Sequence, residues 1–563
     1  MTSADLDLCV EWAKRNGAYI NDKVKFVRDD KLGILAFVSE PVNTEEELIS
    51  IPKKLLITGE KSLRFFKLDK SITKNPNALL QLYLANLVYE KSPSEDRTFF
   101  QPYLNILPGI KSVNSPYFWS SNELDLFKGT DILVKIKRNL TKLVDEWYAV
   151  VSEVQAIDAA DEAFYQALKG NPSLDIHDHI RSFANIEWHS FPAYLWSHYI
   201  FTSRAFPHLL LGKENLKDLN QAFLFPIVDL LNHGNGKKVK WLYSKEKDSV
   251  AFSTSEKLNA KDELFNNYGD KSNEELLLGY GFCLEKNDFD ESTITLRLPA
   301  NVISDAQSHG ISLNSDDIIE NSVNFHLSCT EALPESLVSL FAFICKLTSE
   351  KSVTTRSTLE GLDKLLEILE QKLEFFKKAS KISSTSVKNP QVIKQAKIYL
   401  STQRKIFQVA CDAIPKKQKE MLKTAKPLSF KSIIKTDRQF ADSLLISFGM
   451  NGYEGIVNKN FVQQALLLWI IRAANGDSGV DVSSKLISDC FADVKSSIVI
   501  TKEDVQEYMS LYKSLMPDLA SKIPEVYGYG DWGIKQFIIA GTVIDRLVWT
   551  RSLNREAFFF EKN

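Results

Sequence analysis

The strongest constraint on the fold is an interruption. Val24 to Phe26 and Gly33 to Val38 are rich in β-branched and aromatic residues and flank an Asp29-Asp30-Lys31 turn, the pattern of a hairpin. Leu48 to Ile51 and Leu55 to Ile57 are two more short runs around Pro52. From about Lys61 to Gly212 the spacing changes. Apolar residues recur three and four apart, most clearly in Ala78 to Tyr89 and Ile132 to Val151, which predicts helices. β character returns only at Val239 to Trp241, Val250 to Phe252 and Ser292 to Leu298. With a leading helix over Leu6 to Arg15, this order describes one β-rich domain carrying an inserted helical lobe.

Past residue 300 the pattern is helical again. Leu362, Leu366, Leu369, Leu373 and Phe376 form one stripe between Leu359 and Lys378. A Ser-rich break, Lys381 to Asn389, precedes a second long pattern from Gln391 to Thr424, which stops near Pro427. An αα-hairpin is the simplest arrangement, and Phe461 to Ala474 is apolar enough for a buried helix. The expected class is α+β: a β-rich domain over 1–300 with a helical insert at about 61–212, then an all-α domain over 301–563. With 563 residues there is ample chain for both cores.

Composition narrows the setting. The 69 basic and 72 acidic residues give a net charge of −3, which argues against a nucleic-acid binder on global charge. The six cysteines lie far apart with no CxxC pair, so a disulfide scaffold or zinc ribbon is disfavoured and a reducing compartment fits. The N-terminus has no basic stretch followed by an apolar run, and Ala465 to Ala474 is too short to span a bilayer. The expectation is a soluble protein of the cytoplasm, with the nucleus also open. Lys237-Lys238 and Lys416-Lys417-Gln418-Lys419 read as solvated surface rather than address signals. The composition leaves oligomeric state open.

Two patterns invite false leads. Gly528-Tyr529-Gly530-Asp531-Trp532-Gly533 satisfies GxGxxG, but Ser521-Lys522-Ile523-Pro524 precedes it instead of a buried strand, so it reads as a turn. His177-Asp178-His179 lacks a third ligand at suitable spacing, and no metal is expected. The informative region lies between them. Leu224 to His233 is an apolar segment ending in Asn232-His233, followed by Glu263-Leu264-Phe265-Asn266-Asn267-Tyr268-Gly269, Asn273-Glu274-Glu275 and Gly279-Tyr280-Gly281-Phe282. Singly, each has a local explanation, such as a helix end or a half-buried aromatic. Their joint order is much harder to reach by accident.

That order resembles the SET-domain protein methyltransferases, specifically the class with a split SET domain and a helical substrate-binding domain, typified by the plant Rubisco lysine methyltransferase. The likeness covers nearly the whole chain. Asp30 to Ala36 resembles the first SET strand pair, Ile51 to Leu55 the strand that follows, and Tyr103 to Pro108 the inserted lobe. Ser190 to Pro207 and Phe225 to Trp241 are similar to the fungal ribosomal lysine methyltransferases.

The resemblance implies transfer of a methyl group from S-adenosylmethionine to a lysine ε-amine, with no metal. It implies cofactor contacts from Lys31, Leu32, Gly33, Arg204, Asn232, His233, Tyr268 and Phe282, with Phe282 stacked on adenine and Arg204 paired to the cofactor carboxylate. It makes Tyr268 the catalytic tyrosine and Tyr280 its neighbour in the wall. The carbonyls near Ser203 and Asp229, with Tyr280, would receive the substrate lysine. His208 stands where the plant enzyme has a second, substrate-side arginine. The implied partner is a protein substrate, first a large-subunit ribosomal protein, with no direct nucleic-acid or membrane contact. An elongation factor or another cytoplasmic protein is the alternative target. Histidine methylation also occurs in this class. A silent SET-like adaptor is the alternative class of function, against which the presence of Arg204, Asn232, His233 and Tyr268 argues.

Overall fold

The computed structural model describes residues 2–29, 33–70, 73–171, 173–182, 186–212, 220–381, 387–476 and 485–561. The chain divides into two compact units, Met1–Ser292 with Glu374–Lys405, and Thr293–Leu373 with Ile406–Asn563. Among the described residues, no helix is long and apolar enough to cross a membrane.

The first unit opens on the helix Ser3–Arg15, started by a capping box in which Thr2 and Asp5 satisfy each other's backbone N–H groups. β1 (Tyr19–Ile20), β2 (Val24–Asp29), β3 (Gly33–Val38) and β4 (Glu47–Pro52) follow. β2 and β3 form the expected hairpin, with Val24 opposite Val38 and Asp29 opposite Gly33. The run after Pro52 is not a strand. Lys53–Leu55 is a single 3₁₀ turn, and only Ile57 pairs, exchanging backbone hydrogen bonds with Leu224 at 3.2 and 3.0 Å. Pro52 ends the ladder because it fixes φ and supplies no N–H.

After Phe191–Arg204, the last long helix of the insert, come β5 (Ala205–Pro207), β6 (Ala222–Leu224), β7 (Val239–Ser244) and β8 (Ser249–Thr254). β4 pairs β8 across the insert, giving an antiparallel sheet in the order β1-β4-β8-β7. Alternation in β8 sends Val250 and Phe252 inward beside Ile49 and Ile51, all fully buried. Within the insert, Ala78–Tyr89 is apolar on nearly every side, and every residue from Ala78 to Leu87 is buried. A helix without a polar face belongs inside a core, and this one packs on Phe191–Arg204. The helix segment 390–405 also belongs to this unit. Gln395 accepts from the Cys283 N–H at 2.7 Å, Tyr399 donates to Glu274 at 2.9 Å, and Gln403 donates to the Glu291 carbonyl at 2.9 Å.

The second unit is mainly helical. The long helices Thr355–Ala379 and Pro390–Ala425 lie where the leucine stripe and its successor place them. Asp363 ties them to the chain's C-terminal part, accepting from Gln418 at 2.8 Å, Trp549 at 2.7 Å and Ser552 at 3.0 Å. Val462–Ala474 is the anticipated buried helix, and its one charge, Arg472, pairs with Asp437 at 3.3 Å. Two small three-stranded sheets accompany the helices. Most of their strands are two or three residues long, too short to show a period of two in the sequence. Gly528 to Gly533 is a turn, held by the Asn475 side chain, which accepts from the Asp531 N–H at 3.1 Å.

Gly361 packs tightly against backbone in this unit. A Cβ there would lie 2.6 Å from the Phe341 carbonyl carbon and 2.7 Å from the Ala342 nitrogen, both backbone atoms. Gly361→Ala gains helix propensity worth about 1 kcal/mol, but overpacking costs about 1–3 kcal/mol where neighbours cannot move. We expect a net fall in melting temperature by calorimetry. A rise would show that the helix carrying Phe341 can shift aside.

Candidate functional site

The site forms where three distant stretches meet in the first unit. Residues 262–264 run beside β3: the Val38 N–H donates to the Asp262 carbonyl at 3.0 Å, and the Leu264 N–H to that of Ala36 at 2.7 Å. Residues 232–234 pair with the same stretch in a short parallel bridge between His233 and Asn266. Its bonds run from the Asn266 N–H to the Asn232 carbonyl at 2.8 Å and from the Gly234 N–H to the Asn266 carbonyl at 2.9 Å. The N–H and C=O of His233 take no part in that bridge.

The side chains complete the lock. His233 Nδ1 accepts from the Tyr268 N–H at 3.0 Å, so its proton sits on Nε2, which donates to Asn235 at 2.8 Å. Burial holds its pKa below the ordinary value. The ring is therefore neutral and fully committed within the protein. A cofactor contact from His233 falls to its backbone, since the imidazole has no free nitrogen. Asn232 Nδ2 donates to the Ile34 carbonyl at 3.1 Å and to Glu263 at 2.9 Å. Its Oδ1 accepts from none of the described residues.

Tyr268 lies between two rings. His233 stacks at 5.1 Å on it, and Tyr280 stacks at 4.9 Å with an interplanar angle of 16°. The Tyr268 hydroxyl donates to the Leu231 carbonyl at 2.8 Å. Burial raises its pKa well beyond that of a free phenol, with Arg204 pulling the other way. It remains protonated and keeps its oxygen lone pairs for accepting. Burial also pushes Tyr280 up to about 12. Tyr199 donates to the Tyr280 carbonyl at 3.0 Å, Phe282 meets its ring edge-on at 6.3 Å, and a cavity of about 280 Å³ lies beside it, lined also by Thr202, Leu278 and Gly279.

Arg204 ends the helix Phe191–Arg204 and reaches Asp229. Its Nη1 donates to the Asp229 carbonyl at 2.9 Å and to the carboxylate at 3.3 Å. That carboxylate is wholly buried and also accepts from the Tyr103 hydroxyl at 2.7 Å. Burial disfavours the guanidinium charge, yet Asp229 and Tyr103 hold its pKa above the ordinary arginine value. Burial raises Asp229, opposed by Arg204 and Tyr103. Two residues earlier, Ile227 sits at φ 75°, ψ −48°, an outlier for a β-branched residue, kept there by complete burial. Ser203 turns its hydroxyl back onto its own helix, donating to the Tyr199 carbonyl at 2.8 Å, which leaves only its carbonyl for a substrate. Gly33 has φ 86°, and a Cβ there would meet nothing within 4 Å among the described residues. Lys31 and Leu32 lie outside the described residues.

The donors and acceptors left over match the amino-acid end of S-adenosylmethionine, which carries a carboxylate and an ammonium. Arg204 is one-fifth exposed, and its Nε and Nη2 donate to none of the described residues, which suits the carboxylate. Asn232 Oδ1 is left as an acceptor that could take the ammonium, the His233 N–H and C=O lie outside the bridge, and half-buried Phe282 offers an apolar face. Three residues of this assembly escape a reading by motif: Tyr103, Leu231 and Glu263. Glu263 stands in the Glu263 to Gly269 block and was within reach. Tyr103 opens the Tyr103 to Pro108 stretch that resembles the inserted lobe, but nothing local marks its link to Asp229.

Comparison with known proteins agrees with this geometry. A family model described as the EFM1 middle domain matches residues 291–425. Protein-lysine N-methyltransferase EFM1 of Saccharomyces cerevisiae is 40% identical over 582 residues, spanning all of this chain and 99% of that protein. Ribosomal lysine N-methyltransferase 1 of the same yeast is 30% identical over 84% of this chain and 87% of its own. Among solved structures, the SET domain of LSMT bound to lysine and AdoHcy superposes with a TM-score of 0.54 at 16% identity, covering 74% of this chain and 92% of that one. Rubisco LSMT bound to AdoMet gives 0.52, covering 74% and 93%.

A divided sheet, a parallel bridge at an Asn-His pair and a paired-tyrosine wall together define a SET-domain fold. Within that class the chain belongs to the family of protein-lysine N-methyltransferase EFM1. Its reaction is methyl transfer to a lysine ε-amine of a protein.

Proposed function

We propose that the acceptor lysine belongs to a translation elongation factor rather than to a ribosomal protein. The supporting observation is the order of likeness. Identity is 40% over the full length to a relative named only for protein lysine, and 30% over a shorter span to one named for ribosomal lysine. The stretch matching the EFM1 middle domain, residues 291–425, begins the helical region, to which we assign the holding of the protein substrate. Such a target puts the enzyme in the cytoplasm. Labelled S-adenosylmethionine, offered with salt-washed ribosomes and separately with the post-ribosomal supernatant, tests this. We expect label in a supernatant band that mass spectrometry assigns to an elongation factor. Label confined to a large-subunit ribosomal protein would return the assignment to the ribosome.

The same reading gives each residue a task. When bound, S-adenosylmethionine supplies the methyl group as an electrophile. Arg204 holds its carboxylate, Asn232 its ammonium, and the Gly33 and His233 backbone with Phe282 hold the nucleoside. The nucleophile must be a neutral amine, whereas free lysine has a pKa near ~10.4. The Tyr268–Tyr280 wall favours the neutral form by keeping water away. Because the Tyr268 hydroxyl donates to Leu231, it meets the amine as an acceptor of an N–H. That contact turns the nitrogen lone pair toward the methyl group, and the carbonyls of Ser203 and Asp229 take the remaining N–H.

A further inference from the structure

Arg204 does two jobs with one nitrogen. Nη1 bonds both the carboxylate and the carbonyl of Asp229, so the guanidinium assigned to the cofactor also braces the carbonyl assigned to the substrate amine. What fixes this pair is a hydroxyl from the inserted lobe. Tyr103, on the helix Glu95–Leu104, is fully buried and donates at 2.7 Å to Asp229 Oδ2, the oxygen that Arg204 also shares. Asp229 Oδ1 is buried with no hydrogen-bond partner among the described residues. Among those residues the carboxylate is thus anchored through one oxygen, and Tyr103 and Arg204 together set its orientation.

We propose that Tyr103 is a positioning residue, orienting Asp229 so that Arg204 is presented to the cofactor carboxylate while the Asp229 carbonyl stays aimed at the lysine. This rests on the reading of Arg204 as the cofactor-binding arginine. Tyr103 touches neither cofactor nor substrate, and its effect passes through Asp229 to Arg204. Without its hydroxyl the carboxylate loses its best acceptor contact, and burial favours protonation of Asp229. A neutral Asp229 releases the guanidinium to turn toward solvent.

The test is equilibrium binding of S-adenosylhomocysteine by calorimetry, alongside thermal melting of the ligand-free protein. Tyr83 supplies a matched control: it is equally buried, and its hydroxyl donates to Asp96 at 2.5 Å, away from Arg204. Tyr103→Phe and Tyr83→Phe each remove one hydroxyl bonded to a carboxylate, so both should lower the melting temperature by similar amounts. Only Tyr103→Phe should weaken S-adenosylhomocysteine, by about five- to twentyfold, part of the worth of one hydrogen bond to a charged group. Wild-type affinity in Tyr103→Phe, with affinity lost in Arg204→Lys, overturns the positioning role and leaves Arg204 as the cofactor ligand. Wild-type affinity in both overturns both readings. Should Tyr103→Phe fail to fold, Asp229→Asn keeps the side chain's shape and an acceptor for Tyr103 but drops the charge. A comparable loss of affinity is expected there, and unchanged binding overturns the proposal.

Discussion

Tyr268→Phe is expected to lower kcat on the protein substrate by about 10²–10³, the usual scale for one preorganised polar contact in the transition state. The change removes only an oxygen. The ring would keep its stacking on His233 and Tyr280, and the His233 bond to the backbone N–H of residue 268 is untouched. Affinity for S-adenosylhomocysteine should therefore change little, and the loss should appear in kcat. The structure also limits what the oxygen can do. With its pKa raised by burial and its proton donated to the Leu231 carbonyl, it is no general base near neutral pH. The pH profile of the wild type should accordingly show no limb that disappears in Tyr268→Phe. If the ring serves only as wall, turnover will be unchanged by Phe and damaged by Ala, and Tyr280 becomes the residue to test.

Arg204→Ala carries the other large effect, and it is larger than cofactor binding alone suggests. Losing one charged hydrogen bond to a ligand costs about 1.5–3 kcal/mol. Here the guanidinium is also the buried partner of Asp229, whose side chain is completely inaccessible. Removing one member of a buried ion pair typically costs about 3–5 kcal/mol, because the other charge is stranded. Denaturant unfolding without ligand should show a loss of that order, in addition to the lost cofactor affinity. The pH dependence has a definite sign. Removing Arg204 takes away the main influence opposing the burial that raises Asp229, so the carboxyl moves further above its unfolded value near ~3.9. A group with a raised folded pKa binds protons more tightly in the native state, so its contribution falls as pH rises through that interval. The variant should therefore recover part of the deficit on acidification from neutrality toward about pH 4. A deficit independent of pH would mean that Asp229 does not ionise alone in the folded variant.

Much of the site was legible because its residues cluster in sequence. Asn232 and His233 end one apolar segment, and Tyr268 and Tyr280 follow within a short stretch whose order carried the resemblance. The hairpin and the leucine-striped helices were legible too, since each has a clean period. Other features were not. Nothing in Tyr103 distinguishes it from other aromatics of the insert, because its role depends on Asp229, 126 positions away. The imidazole of His233 looked available to a ligand, and only the Tyr268 N–H and Asn235 commit it. The strand expected at Leu55 to Ile57 dissolved into a 3₁₀ turn and one paired residue, because a proline and a long-range partner outweigh local β preference.

By itself, the amino-acid sequence determined where the long helices and the first hairpin lie, that the β-rich part is interrupted by helices, and which residue types are clustered around Asn232 and Tyr268. These follow from periodicity and from short-range order along the chain. The tertiary structure decided how the groups are used. It set which nitrogen of His233 carries the proton, which end of Asn232 is left for a ligand, and that Arg204 has a buried counter-ion. It also gave Glu374–Lys405 to the first unit, although those residues lie far along the chain. The reason is physical: a hydrogen bond or an ion pair depends on separations of about 3 Å between atoms, and for residues distant in sequence that distance exists only once the chain has folded.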